Sequence, residues 1–537
     1  MSTVSSYRPS PELPYPSARQ PVLARNVVAT SQPLAAQAGL RMLLRGGNAV
    51  DAAIATAAAL CVVEPTGNGL GSDAFAILWD GAALHGLNSA GRSPTRLDSA
   101  RLLSQGAIDG LGWDGVTVPG AVASWVELSR AHGRLPFAEL LEPAVSYAAD
   151  GFPVSPGIAS AWHRAGKVLG ARADFAAAFL PGGAAPRPGE IWRFPAQAHS
   201  LELIAASDGE AFYRGELADA IVAAAEVEGA AMRHDDLASH RAEWVGTIAT
   251  RFAGHELHEI PPNCQGLAAV IALGVLRHTD LANTSVNSAD WLHLQLEAMK
   301  LGFADAHRYV ADSEHLDVNV GDLLDDGYLA ARARQVDMAR ASDPGHGAPR
   351  PGGTVYLTTA DRDGMMVSFI QSNYQGFGSG VVVPATGISL QNRGLGFSLE
   401  AGHPNVVAGN KRPFNTIIPG FLMGPSGPVA SFGVMGGPMQ PQGHVQMVVR
   451  MLLQQQNPQA ASDAPRWQVV AGSRVNVEPG FDADVLEELR RRGHDVKVTE
   501  PEESYLYGGA QLIAALPDGD GYIAGSDHRK DGQAVGF

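Results

Sequence analysis

Apolar residues along this chain change their period near residue 353. Before it they recur at three- and four-residue intervals, the signature of helices; after it they alternate, the signature of strands. Residues 33–63 are alanine-rich and helical in pattern, broken at Gly46-Gly47-Asn48, where Asn48 can cap a second helix entering at Asp51-Ala52-Ala53. A glycine-rich turn, Gly67-Asn68-Gly69-Leu70-Gly71, feeds a predicted strand over 74–79. Residues 120–310 alternate helical segments with short loops. The clearest predicted helix covers 288–310, opened by Ser288-Ala289-Asp290 and carrying Leu292, Leu296, Met299 and Phe303 at helical spacing. Beyond 353, strands are predicted over 355–360, 365–371, 381–383, 429–432 and 511–515, with helices at 444–455 and 482–492. Strands meeting helices in this way predict an α+β fold, specifically a four-layer α/β/β/α sandwich. Residues 1–25 read as a flexible, proline-rich lead. Residues 338–353, rich in Gly, Pro, Ser and Asp, read as an exposed linker.

Composition narrows the function. The chain has 537 residues, 45% hydrophobic and 18% charged, which is ordinary globular usage. A formal charge of -16 argues against nucleic acid or an anionic membrane as partner, since both require a basic footprint. No stretch reaches the ~18 uninterrupted apolar residues of a membrane span, and the first 25 residues lack the apolar core of a secretory signal. Cytoplasm is the expected location. Cys61 and Cys264, far apart and each in apolar surroundings, are expected to be buried free thiols. No metal or organic cofactor is implied. His255-Glu256-Leu257-His258 has the wrong spacing for a zinc-protease helix. The Gly67–Gly71 turn has Ser72 where a dinucleotide loop needs its third glycine, and a strand follows it. Asp73 beside that turn reads as a turn-capping carboxylate or a pocket residue, and His444 as a structural residue near a helix start.

The chemistry concentrates at Gly353-Thr354, where the linker meets an alternating strand. One reading is a plain junction. In the other, Thr354 is an N-terminal nucleophile in waiting. Its Oγ attacks the Gly353 carbonyl, and water hydrolyses the resulting ester. The freed α-amine, with an ordinary pKa near 7.7–8.0, then serves as base for the same hydroxyl. Glycine before the scissile bond tolerates the geometry this needs. An oxyanion hole is also required, and Gly436-Gly437 after the predicted strand at 429–432 offers two adjacent backbone N–H donors.

Ordered motifs on both sides bear on that choice. Arg45 to Ala53 (Arg-Gly-Gly-Asn-Ala-Val-Asp-Ala-Ala), Val118-Pro119-Gly120, Pro261-Pro262 with Gly266, Met299 to Tyr309, Phe377 to Gly380, Lys411-Arg412-Pro413, Gly436-Gly437 and Gly525-Ser526-Asp527 follow one another along nearly the whole chain. In this order they resemble the γ-glutamyltransferase family of N-terminal-nucleophile (Ntn) hydrolases. The resemblance implies that Gly353–Thr354 is the processing site and Thr354 the catalytic nucleophile, with Gly436 and Gly437 as oxyanion donors and Ser372 as a hydroxyl partner of the nucleophile. It also implies that residues 1–353 and 354–537 become the large and small chains of a heterodimer forming one composite domain, and it leaves a higher oligomer open.

Departures fall where that family reads its glutamyl group. The substrate-carboxylate arginine is displaced by two positions to Arg92, in Ala90-Gly91-Arg92-Ser93-Pro94. Gly396, before Phe397-Ser398, stands where an aspartate would pair the substrate ammonium. Arg393 replaces a glutamine, Tyr374 an asparagine, and Asn415 and Thr416 a serine pair. Losing a carboxylate and gaining Arg393 is expected to favour a carboxylate over an ammonium. Gly91 to Pro94, Pro261 to Gly266, Gln391 to Gly394 and Met439 to His444 resemble a bacterial branch that includes oxamate amidohydrolase. Arg92, Tyr374, Arg393, Asn415 and Thr416 are therefore the candidate substrate-binding residues, and a small carboxylate-bearing amide the expected substrate. A true γ-glutamyl hydrolase or transferase, a β-lactam side-chain acylase and an unprocessed binding protein are the competing readings.

Overall fold

The computed structural model describes residues 18–344, 353–517 and 519–537. Two seven-stranded antiparallel sheets face each other. One runs, edge to edge, Val22–Ala24, Tyr522–Ser526, Gly509–Ala515, Gly427–Met435, Gly420–Gly424, His255–Glu259, Ile248–Phe252. The other runs Gln533–Gly536, Val27–Thr30, Gly353–Ala360, Met366–Tyr374, Asp73–Trp79, Leu84–Ser89, Glu243–Trp244. Each sheet mixes strands from before and after Thr354.

Alternation along single strands builds the layers. In Gly353–Ala360, Tyr356 points into an inter-sheet core with Phe75, Ile370, Phe421 and Ile513. Its neighbours Val355 and Leu357 point the other way, against the helices Pro33–Leu44 and Ala49–Val63. The opposite sheet repeats the pattern: Leu422, Phe432, Val434 and Leu512 cover the helices Gly266–Arg277, Ala289–Tyr309 and Met439–Leu453. Helix, sheet, sheet and helix layers result, as expected from sequence. Gly433 is needed where the sheets touch, because a Cβ there would lie 2.4 Å from the Tyr356 ring.

Local signals behave as the sequence suggests. Asn48 caps the helix Ala49–Val63 in a full capping box with Asp51, and Ser288 caps Ala289–Tyr309. Both cysteines are free and buried. No helix among the described residues is long and apolar enough to cross a membrane. The expected flexible lead needs correction over its described part. Val22–Ala24 pairs with Tyr522–Ser526, and the Arg19 guanidinium donates to the Asp527 and Lys530 carbonyls. The remainder of that lead, and residues 345–352 of the expected linker, lie outside the described residues.

Glu64 closes the helix Ala49–Val63 beneath the Gly67–Gly71 turn. It is buried and accepts the Ser31 hydroxyl at 2.5 Å. Burial pushes its carboxyl up to about 7. The folded chain then binds a proton that the unfolded chain has lost, so stability falls as pH rises from the ordinary carboxylate range to about 7. Glu64→Gln is expected to remove this contribution, which amounts to about 3 kcal/mol at most. Denaturant unfolding of parent and variant at pH 5 and pH 8 tests it: the loss of stability between the two pH values should be smaller in the variant than in the parent.

Candidate active site around Thr354

Thr354 lies at the start of an interior strand that is paired on both sides only in its second half. Met366–Tyr374 runs alongside from Gly353 to Ala360, with an irregularity between Gly353 and Val355. On its other side, Val27–Thr30 reaches only Leu357–Ala360 of this strand. Thr354 is buried, but the loop at Gly67 flanks it in place of a strand: a Cβ on Gly67 would stand 3.3 Å from the Thr354 carbonyl oxygen. Gly69 and Gly71 serve a similar end, since side chains there would meet Ser389 at 2.5 and 2.2 Å. Gly67 thus allows close backbone packing beside Thr354, and Gly69 and Gly71 beside Ser389, a packing reason for the glycines of this turn.

The Thr354 Oγ1 is 3.3 Å from Ser372 Oγ. Ser372 Oγ in turn accepts the Tyr374 N–H at 2.8 Å. Tyr374 has φ = 73°, a left-handed conformation that asparagine adopts far more readily than tyrosine. The strained residue is held by that hydrogen bond and by the Arg393 guanidinium, 4.6 Å above its ring centroid. Gly436 and Gly437, at φ of 122° and 59°, form the turn between the strand Gly427–Met435 and the helix Met439–Leu453. Their carbonyls accept the Met439 and Gln440 N–H groups, while their own N–H groups have no acceptor among the described residues. Gln265 fastens this turn to the neighbouring loop: its Nε2 donates to the carbonyls of both Thr416 and Gly437, at 2.5 and 2.8 Å.

Arg393, Tyr374, Asn415 and Thr416 come together, with Asp73 at their centre. Asp73 Oδ2 accepts Arg393 Nε at 2.9 Å and Asn415 Nδ2 at 2.6 Å, and Oδ1 accepts Arg393 Nη2 at 3.1 Å. Arg393 Nη1 donates to Thr416 Oγ1 at 2.9 Å. Both ion-pair partners are fully buried. Two expectations change. Arg393 is no uncompensated cation, because a bidentate carboxylate offsets its charge. Asp73 is no turn cap, because it heads the strand Asp73–Trp79 and points into this cluster. Gly396 also finds its reason: a Cβ there would lie 2.1 Å from the Phe414 carbonyl, leaving no room for any side chain.

Arg92 sits elsewhere. Its guanidinium is held by Asp312 at 2.5 Å, by Glu314 and by the Asn410 carbonyl, and none of these touches Thr354 or Arg393. His444 forms a buried pair with Glu259 at 2.5 Å, supporting the structural role expected of it. A further buried cluster brings His293, Glu297 and His494 within metal-ligand reach of one another. Lys300 Nζ already occupies it, 2.7 Å from Glu297 Oε1. Burial and the nearby lysine push His494 down to about 3, keeping it neutral. The cluster grips residues 337–342 through the Asp337 carbonyl and the Ser342 backbone, so it braces the approach to the linker.

The gamma-glutamyltranspeptidase family model matches residues 35–537. The chain belongs to this family. It is an enzyme of the family's amidohydrolase and transferase kind, built on the Ntn sandwich. Among curated proteins it is 36% identical to the oxamate amidohydrolase proenzyme of Klebsiella pneumoniae, covering 94% of this chain and 97% of that protein. It is 35% identical to the glutathione hydrolase-like YwrD proenzyme of Bacillus subtilis, covering 96% and 98%. Among solved structures, a cephalosporin acylase from Bacillus halodurans superposes with a TM-score of 0.94 at 46% identity over 99% of both chains.

The buried Asp73–Arg393 pair yields a stability prediction. Asp73→Asn leaves a buried guanidinium without its carboxylate and is expected to cost about 3–5 kcal/mol, whereas exposed pairs are worth a fraction of that. Equilibrium denaturation of Asp73→Asn beside Arg130→Gln, which breaks a surface pair with Glu127, tests the contrast. Equal losses would show that Asp73 does not carry the Arg393 charge.

Proposed function

We propose that this family member cuts its own Gly353–Thr354 bond and then hydrolyses a small carboxylate-bearing amide through an acyl-enzyme on Thr354. The observation that supports it most is the placement of the Thr354 Oγ1 at the start of an interior strand, beside Ser372 and close to a turn with two unused N–H groups. In self-cleavage the Thr354 Oγ attacks the Gly353 carbonyl, the C–N bond breaks, and water hydrolyses the ester. In turnover the new α-amine takes the hydroxyl proton, the substrate carbonyl is attacked, and its oxyanion is received by Gly436 and Gly437. The amine leaves with the proton, and water releases the acid. Segments 1–353 and 354–537 would stay together as a heterodimer after cleavage, because both sheets interleave their strands.

Substrate selection follows from the Asp73 cluster. An α-ammonium would need a carboxylate, but Gly396 has no space for one, and both Asp73 oxygens are engaged by Arg393 and Asn415. The Arg393 Nη1 and Nη2 groups each retain an N–H beyond the bonds described, and these would receive a substrate carboxylate by hydrogen bonding, not by net charge. This supports an oxamate-like amide over a γ-glutamyl one. Hydrolysis of a cephalosporin side-chain amide is a second reading, supported by the similarity to the Bacillus halodurans structure.

Two experiments test these steps. On a denaturing gel the protein should give two bands near two-thirds and one-third of the 56.2 kDa mass, the smaller beginning at Thr354. Thr354→Ala should give one inactive band, and its cleavage would refute the assignment. Purified enzyme should release ammonia from oxamate faster than amine from a γ-glutamyl anilide or from a cephalosporin. Arg393→Lys, which keeps the charge but loses the fork, should lower kcat/KM for oxamate about 10- to 100-fold. Preferential turnover of the anilide would overturn the substrate reading.

A further inference from the structure

Gln440 is the second residue of the helix Met439–Leu453 and is fully buried. Its orientation is set by its surroundings. Its Oε1 accepts the Ile418 N–H at 2.9 Å, and since a backbone N–H can only donate, the carbonyl end must face Ile418. The Nε2 end then points to Thr354, donating to Oγ1 at 3.5 Å. Two other glutamines of the same helix are spent differently. Gln442 and Gln446 bind the backbone of Val469 and Trp467, fastening the helix to the strand Trp467–Ala471.

We propose that Gln440 is a catalytic residue whose side-chain amide donates a hydrogen bond to the Thr354 hydroxyl oxygen while its charge changes. This rests on the reading of Thr354 as nucleophile. A side-chain amide nitrogen cannot accept, so Gln440 takes no proton. It holds one lone pair of Oγ1 and leaves the hydroxyl proton to the base. As that proton departs and the Oγ–C bond forms, negative charge grows on Oγ1 and the N–H stabilises it. The same contact acts when water expels the acid: the C–Oγ bond breaks, the electron pair returns to Oγ1, and the proton follows. A long hydrogen bond in the unliganded site is the usual starting point for one that tightens in the transition state. Ser372 can either donate to or accept from Oγ1, whereas Gln440 can only donate.

Self-cleavage tests this without a substrate. Freshly synthesised chains are chased on denaturing gels for the parent, Gln440→Glu, Gln440→Leu and Thr354→Ala. A glutamic acid at 440 keeps the acceptor for Ile418 and donates to Oγ1 only while protonated. The ratio of Gln440→Glu to parent rates should therefore fall at least ~30-fold as pH is raised from about 5.5 to about 8.5, and Gln440→Leu should be slowed ~100-fold throughout, the loss typical of one transition-state donor. A pH-independent Gln440→Glu ratio, or Gln440→Leu cleaving within about threefold of parent, overturns the proposal. The Gln440→Glu profile decides alone if Gln440→Leu does not fold. Cleavage of Thr354→Ala would instead overturn the reading of Thr354.

Discussion

The structure depends on one strand, Gly353–Ala360, being paired differently along its length. From Leu357 onward it is an interior strand, bonded to Val27–Thr30 on one side and Met366–Tyr374 on the other. At Thr354 it has a strand on one side only, and the opposite flank is given to the Gly67 loop. The anchored half can hold the chain in place, while the first residues are left to chemistry. A strand paired on both sides at its first residues would have no room around Thr354 for attacking or attacked groups. A strand loose throughout would leave the Thr354 side chain without a fixed direction. Here Tyr356 and Leu357 are locked into opposite cores only two and three residues away.

That division organises the surrounding polar groups. Ser372 is where the neighbour strand's pairing with Asp73–Trp79 ends, Gln265 ties the Thr416 loop to the Gly437 turn, and Gln440 links Ile418 to Thr354. Each of these side chains spends an atom on a backbone group, Ser372 on Tyr374 of its own strand and Gln265 and Gln440 on the loops and turn opposite. In a buried site this matters energetically: an unfixed amide or hydroxyl would have to reorganise as charge develops, and fixed donors do not.

Local signals explain what could be read from sequence. The capping Asn48 and Ser288, the alternation after 353 and the breaks at glycine are decided by neighbours within a few residues, and the elements appear where they indicate. Strand ends were less legible. The alternation predicted a strand ending at 371, yet pairing with Gly353–Ala360, through Gly353 opposite Tyr374, carries it to Tyr374, into a backbone conformation that tyrosine would not choose alone. Gln440 was visible only as a letter in Met439–His444, because its partners are 22 and 86 residues away. Asp73 and Arg393 are 320 residues apart, so sequence could register the new arginine but not its neutralising partner. The short strand Val22–Ala24 hid in a polar lead for the same reason.

The Asp73–Arg393 pair also reframes what the site can recognise. An unpaired buried arginine would attract any anion strongly and would cost the fold several kcal/mol of desolvation. Pairing it with Asp73 relieves that cost and turns the guanidinium from a charge into a shape: a planar fork with Tyr374 under one face and Thr416 on one arm. On the proposed reading, selectivity would arise from which groups can complete the fork. A carboxylate can, because it brings only acceptors. An ammonium brings only donors and would face other donors, with no carboxylate room at Gly396. On the proposed reading, the strand that carries Thr354 would serve a different substrate through changes confined to the wall opposite it.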